Sequence, residues 1–186
     1  MSKKLKISAF AGIFYLVSTL PELVFEAMYE FNQYNESMAT LLAITYILSI
    51  VSTIIFFYGF IQLGIEYHNN MLVFSSVIII LTSVFYYLYA WYTRDLPEME
   101  PDIFGGTVLF LFGFAGIFFG SGLYNMREIL GKYSTIAGIL EIIIGICFVT
   151  IILFLLGLIL GIPAVIFEIL LLFNLSESPR FKEATV

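Results

Sequence analysis

The 186-residue chain has a net charge of −6, 61% hydrophobic and 12% charged residues, and a mean hydropathy of +1.02. Soluble domains are roughly 45–50% apolar and about 25% charged, so this chain has too little polar surface to cover a water-solvated globule and belongs in lipid. The acidic balance argues against nucleic acid as a partner, and with Cys147 as the single cysteine no internal disulfide can form.

Three lysines, Lys3, Lys4 and Lys6, precede the first apolar run, which continues from Ile7 beyond signal-peptide length with no small-residue cleavage site. About 20 apolar residues cross a bilayer core, which predicts spans at 7–28, 38–65, 71–92 and 103–125. The first span ends in "PELVFEAMYE" (21–30), where Glu22, Glu26 and Glu30 share one helical face about 80° wide at ~100° per residue. Glu22 sits one or two turns inside the outer boundary. Glu26 and Glu30 read as a helix leaving the membrane, with Pro21 as a kink.

The third span closes on "FYYLYAWY" (85–92), an interfacial aromatic belt. A stacking platform for a quinone or lipid tail is the sharper alternative. Beyond it, Asp95, Glu98, Glu100 and Asp102 lie in a loop that Pro97 and Pro101 keep extended, and its carboxylates are poorly placed to converge on one ion.

Residues 135–175 contain only two charges, Glu141 and Glu168. As one helix they would be about 60 Å long, twice the hydrocarbon thickness. Two spans are therefore predicted, 135–157 and 161–177, broken at "GLILGIP" (157–163) by Gly157, Gly161 and Pro163. The last is short unless it begins before the proline.

Charge placement sets the number of spans independently. With an inside N-terminus, Lys3, Lys4, Lys6, Arg127, Lys132, Arg180 and Lys182 are cytoplasmic and only Arg94 is outside, as the positive-inside rule requires. Five spans would put Arg180 and Lys182 outside. The fold class is thus all-α, a single integral-membrane antiparallel bundle over residues 1–186 with six transmembrane helices and both termini cytoplasmic.

Small residues recur every seven positions: Gly106, Gly113 and Gly120 in the fourth span, Gly131, Gly138 and Gly145 at and in the fifth. Weaker series are Thr45, Ser52 and Gly59, and Ser76, Ser83 and Ala90. A seven-residue period keeps a flat seam facing one partner. That partner is a neighbouring span or another subunit. "KISAFAGI" (6–13) and "KYSTIAGI" (132–139) match at five positions, which an alphabet this narrow produces by chance; no inverted repeat is visible.

Ionisable groups at membrane depth are functional candidates, and Glu22, Glu141 and Glu168 qualify. Each could equally stay protonated against a neighbouring carbonyl. His68 is the only histidine, and Glu66 and His68 are two apart rather than the three of a bundle di-iron motif, so no metal, haem or other cofactor is expected. No phosphate-binding loop, nucleophile elbow, zinc-protease motif or dinucleotide fingerprint occurs. An intramembrane lipid enzyme lacks a nucleophile–base pair.

"GIEYHNNMLVFSSVIIIL" (64–81) and the stretch from Gly122 to Glu177 resemble small archaeal multi-span proteins of unknown function: Tyr67, Asn69 and Asn70 match their polar turn, Arg127 and Lys132 their basic loop. The acidic loop 93–102 has no counterpart there. The resemblance implies a multi-pass protein of an archaeal cell membrane and carries no activity. From the residues, the leading expectation is a non-enzymatic accessory or scaffolding subunit, with lipids and other membrane subunits or further copies as partners. The runner-up is a small proton- or cation-coupled carrier or channel using Glu22, Glu141 and Glu168 as a relay.

Overall fold

The computed structural model describes residues 1–30, 36–93, 103–150 and 153–178. The acidic segment 94–102, Arg94, Arg180, Lys182 and the side chains of Glu26 and Glu30 lie outside the described residues. The described chain is all helical: α1 (Ser2–Glu30), α2 (Glu36–Glu66), α3 (Asn70–Thr93), α4 (Ile103–Asn125), the single turn α5 (Arg127–Leu130), α6 (Lys132–Val149) and α7 (Phe154–Glu177). Helices α2, α3, α4, α6 and α7 are long and apolar enough to cross a membrane. The expected membrane-type helix bundle is therefore present.

The long helices form a closed ring. Each packs on its predecessor, and α1 completes the circuit by packing on both α2 and α7. Ser2 Oγ donates to the Ser176 carbonyl at 2.6 Å, so the start of α1 meets the end of α7. The α2–α3 turn is at the same end, fastened to α4 by Asn69 Nδ2, which donates to the Gly122 carbonyl at 2.8 Å. In that turn His68 takes a left-handed φ of 53°, and Asn69 Oδ1 accepts the Leu72 N–H at 3.1 Å, capping α3. This is the termini end; the other is the far end.

Lipid is as apolar as leucine, so helices in it are held by close packing and polar contacts rather than by burial from water. The glycine seams supply the closest approach, and they face each other. A Cβ on Gly113 would stand 2.7 Å from the Gly145 carbonyl oxygen, and one on Gly145 would stand 2.5 Å from that of Gly113. Gly120 and Gly138 repeat the arrangement at 2.5 and 2.7 Å. The seven-residue spacing on antiparallel helices brings both pairs into register, and α4 and α6 touch backbone to backbone. Gly106 and Gly131, the outer members of each series, meet nothing within 4 Å; Gly131 instead supplies the positive φ of 80° between α5 and α6.

The break between the last two long helices is not at 157–163. α6 ends at Val149 and α7 starts at Phe154, so the spans predicted at 135–157 and 161–177 become 132–149 and 154–177. Val149, Thr150, Ile151 and Ile152 form a β-branched run of low helix propensity. Thr150 closes α6, its hydroxyl donating to the Ile146 and Cys147 carbonyls at 2.9 and 3.1 Å. Gly157 does not loosen α7 but admits Phe148, whose ring would lie 2.6 Å from a Cβ there. Pro163 lies inside the helix. Its missing donor frees only one carbonyl, a loss transmembrane helices tolerate.

Phe56, Phe60 and Phe119 fill the ring, fully buried, with Phe60 and Phe119 centroids 5.0 Å apart. Leu5, Leu63, Leu72, Leu123 and Leu172 continue the apolar block toward the termini end, each with no exposed surface. Outward, large apolar side chains are bare, among them Leu155 at 72% and Ile159 at 67% exposure, as a lipid-facing surface requires.

Gly120→Ala is expected to lower unfolding free energy in detergent by about 1–3 kcal/mol, because the new methyl meets a carbonyl that cannot withdraw. Gly106→Ala, into open space, is expected to leave stability unchanged or slightly raised. Equal losses at both positions would refute the glycine contact.

Candidate functional site

Two polar clusters lie inside the ring, joined by Tyr15. The first is toward the far end. Glu22 is 9% exposed, and its neighbours are Ser18 of α1, Ser49 of α2 and Tyr87 of α3, all buried. Ser18 and Glu22 are one helical turn apart, and the antiparallel packing of α1 on α2 brings Ser49 opposite them. Tyr87 belongs to the aromatic stretch 85–92, but while Phe85 and Tyr92 point outward, its ring turns in and packs on Tyr46 at 5.2 Å. The outward residues fit the belt expectation; Tyr87 departs from it because a buried carboxyl offers its hydroxyl a partner.

The hydrogens in this cluster can be counted. Ser18 Oγ donates to the Tyr15 carbonyl at 2.9 Å. Ser49 Oγ lies 2.7 Å from Ser18 Oγ and makes a short hydrogen bond with Glu22 Oε1. The Tyr87 hydroxyl donates to Glu22 Oε2 at 3.2 Å and reaches Ser49 as well. Ser49 has a single hydrogen. With the Ser18 hydrogen on the Tyr15 carbonyl, Ser49 must donate to Ser18, and the Glu22–Ser49 bond is left for the carboxyl to donate. A protonated Glu22 thus satisfies these bonds in one direction, from Tyr87 through Glu22, Ser49 and Ser18 to the Tyr15 carbonyl. An ionised Glu22 turns the Ser49 hydrogen around, and one bond of the series is lost.

The second cluster is near the middle. Glu141 of α6 and Glu168 of α7 are each nine residues from the termini end of their helix, about 13 Å at 1.5 Å per residue. Their carboxyls lie within interaction range of each other. Glu168 is 1% exposed, and its Oε1 has no hydrogen-bond partner among the described residues. Glu141 is half-buried, its Oε2 3.5 Å from where a Cβ on Gly116 would stand; the missing side chain on α4 makes room for the carboxyl.

Tyr15 connects the clusters. Its backbone carbonyl ends the Glu22 series, its ring stacks on Phe56 at 6.2 Å, and its hydroxyl is within electrostatic reach of Glu168, Glu22 and Glu141. Along α1 it stands about 10 Å from Glu22. All three glutamates singled out by the sequence thus face the interior. Two form a pair, and the third is separated from them by a tyrosine.

The sequence reading missed Tyr15, Ser18, Ser49 and Tyr87. One signal was available: Ser8, Tyr15, Ser18 and Glu22 recur at seven, three and four residues, the spacing of one helical face. Nothing in the sequence pairs Glu141 with Glu168, which depends on the position of the α6–α7 break. His68 is exposed in the termini-end turn, and among the described residues no group of three His, Cys, Asp or Glu side chains could hold a metal ion. Comparison with protein-family models, with curated proteins and with solved structures returns no match.

Ser49→Ala is expected to lower unfolding free energy by about 1–3 kcal/mol, since Glu22 and Ser18 both lose a buried partner. Thr53→Val, one turn along α2, removes a buried hydroxyl that has no hydrogen-bond partner and is expected to be neutral or stabilising. Denaturant unfolding of the two variants in detergent compares them directly. A neutral Ser49→Ala would break the hydrogen-bonded series.

Proposed function

We propose that this chain is a six-span membrane protein, both termini cytoplasmic, that moves protons, or a solute coupled to protons, across a cell membrane without catalysing a chemical change. The observation that carries the reading is the placement of three carboxyls, Glu22, Glu141 and Glu168, inside one closed ring of helices. Acids at membrane depth are expensive, and a merely structural one would be satisfied by a single neighbour. Here hydroxyls from three helices continue the path from one acid toward the others.

The path runs inward from the far end. A proton reaches Glu22 beside Tyr87 and passes through Ser49 to Ser18, whose hydroxyl meets the Tyr15 backbone carbonyl. A carbonyl cannot pass a proton on, so transfer to the Tyr15 phenol and the inner acids requires a water or a movement of α1 between them. Toward the termini end Phe60, Phe119, Leu63, Leu123 and Leu172 stand among the buried hydroxyls of Ser8, Ser75, Ser76 and Ser134.

The scaffolding reading drew on the glycine seams as docking faces for another subunit. Gly113, Gly120, Gly138 and Gly145 are covered by one another within the chain, so the seams lend it no support. Orientation follows from charge: Lys3, Lys4, Lys6, Arg127 and Lys132 gather at the termini end, which the positive-inside rule makes cytoplasmic. The archaeal membrane implied by the sequence resemblance is part of the same proposal.

In proteoliposomes under a pH gradient, Glu168→Gln is expected to reduce proton uptake by about a hundredfold, the scale of losing a proton-transfer group, with helicity unchanged. Flux equal to wild type would remove Glu168 from the path. In a Cys147→Ser background, a cysteine at Glu98 should be labelled by an impermeant reagent in intact cells and one at Asn70 should not. The reverse would invert the orientation.

A further inference from the structure

Several hydroxyls inside the bundle bond to their own helix. Ser76 and Ser83 donate to the carbonyl four residues back, at 2.7 and 2.8 Å, and Ser75 and Ser121 do the same. Such back-bonding satisfies serine and threonine within a helix. Thr53 departs from the pattern. It is 1% exposed, and its Oγ1 has no hydrogen-bond partner, neither the Ser49 carbonyl four residues back nor a side chain. Burying a hydroxyl in that state costs stability. Among the described residues, the other buried side-chain oxygen without a partner is Glu168 Oε1.

The two oxygens belong to neighbouring levels of one packed ladder. Along α1 and α2, Ser8 lies against Gly59, Gly12 against the Phe56 ring and Ser18 against Ser49. These contacts run antiparallel in step, so Thr53, between Phe56 and Ser49, falls level with Tyr15. Helix α7 joins the same ladder. A Cβ on Gly12 would stand 2.6 Å from the Phe56 ring and 2.8 Å from Ile169, and one on Gly59 3.4 Å from Leu172. Glu168 directly precedes Ile169. Helical side chains tilt toward the N-terminus, which for α7 is the far end, and this carries the Glu168 carboxyl toward the level of Thr53. Thr53 also shares a face of α2 with Ser49, one turn away. Its hydroxyl is thus placed where the series from Glu22 stops at the Tyr15 carbonyl.

We propose that Thr53 is the relay hydroxyl that takes a proton past the Tyr15 carbonyl, from the Glu22–Ser49 series to Glu168, with water entering between these groups in transit. Thr53 Oγ1 accepts a hydrogen on one side and releases its own on the other. The water does the same, and the Glu168 carboxylate takes up the last proton as Glu22 gives up the first. Every oxygen between them keeps its number of hydrogens, and no further reactant is needed. An unpartnered hydroxyl suits this task, because a bond to the Ser49 carbonyl would have to break before each transfer. The inference rests on the proton-carrying reading and names the residue that closes its gap.

Two measurements on Thr53→Val and Thr53→Ser test this, denaturant unfolding in detergent and proton uptake into proteoliposomes under a pH gradient. Valine keeps the shape and removes the hydroxyl; serine keeps the hydroxyl. Uptake is expected to fall about a hundredfold in Thr53→Val and to stay close to wild type in Thr53→Ser. The Thr53→Val chain should unfold at a denaturant concentration equal to or above that of wild type. Ser83→Ala removes a hydroxyl bonded to its own helix and should leave uptake unchanged. Full uptake by Thr53→Val overturns the relay. So does an equal loss in Thr53→Ser or Ser83→Ala, or a loss that comes only with lowered stability, since each marks packing rather than the hydroxyl. Uptake lost in Glu168→Gln but kept in Thr53→Val leaves the proton path standing and removes only Thr53. Wild-type protein without uptake fails the transport reading and the relay with it.

Discussion

Lipid solvates an apolar side chain about as well as another helix does, so a membrane bundle is ordered by contacts that acyl chains cannot imitate. In this protein the tightest such contact is the double glycine pairing of α4 with α6, Gly113 on Gly145 and Gly120 on Gly138. Two backbones at that separation fix the register of the helices, since a slide of one residue would drive a side chain into a carbonyl. Between the pairs lies Gly116, and the fixed register puts Glu141 against it. The position of an interior carboxyl thus follows from the packing of a seam that has no chemistry of its own.

Closure of the ring then determines what the interior acids can do. α1 packs on both α2 and α7 and carries Tyr15, Ser18 and Glu22 on the face turned inward. On the termini side of this region phenylalanine and leucine are interspersed with the buried hydroxyls of Ser8, Ser75, Ser76 and Ser134; on the far side the core includes Ser49, Tyr46 and Tyr87. Hydroxyls thus accompany the acids along the interior, the arrangement on which the proton-carrying proposal draws.

The bundle was legible in the sequence because long apolar runs and short polar turns suffice to mark helices that cross a bilayer. The seam was legible as a seven-residue period, but not its partner, because either a neighbouring span or a second chain could fill it. The α6–α7 break was misplaced for an identifiable reason. Glycine and proline are breakers in water, whereas in this chain Gly157 is a packing notch for Phe148 and Pro163 sits inside α7, and α6 ends instead at Val149, where a β-branched run begins in the sequence. That shift carries Glu168 to the level of Glu141, which is why the pair was invisible from spacing alone. Glu22, Glu141 and Glu168 stood out as charges in apolar runs. Tyr15 and Ser49 did not, since tyrosine and serine are ordinary in membrane helices, and only the packing of α1 on α2 gives them partners.

The account turns on buried carboxyls that hold protons rather than charges. Infrared spectroscopy of the purified protein at neutral pH reads this directly, because protonated carboxyls and carboxylates absorb at separate frequencies. The account predicts a carboxylic-acid C=O band in the wild type, weakened in Glu22→Gln and weakened again when Glu168→Gln is added. A wild-type spectrum with carboxylate bands alone, or an acid band untouched by both substitutions, would contradict it.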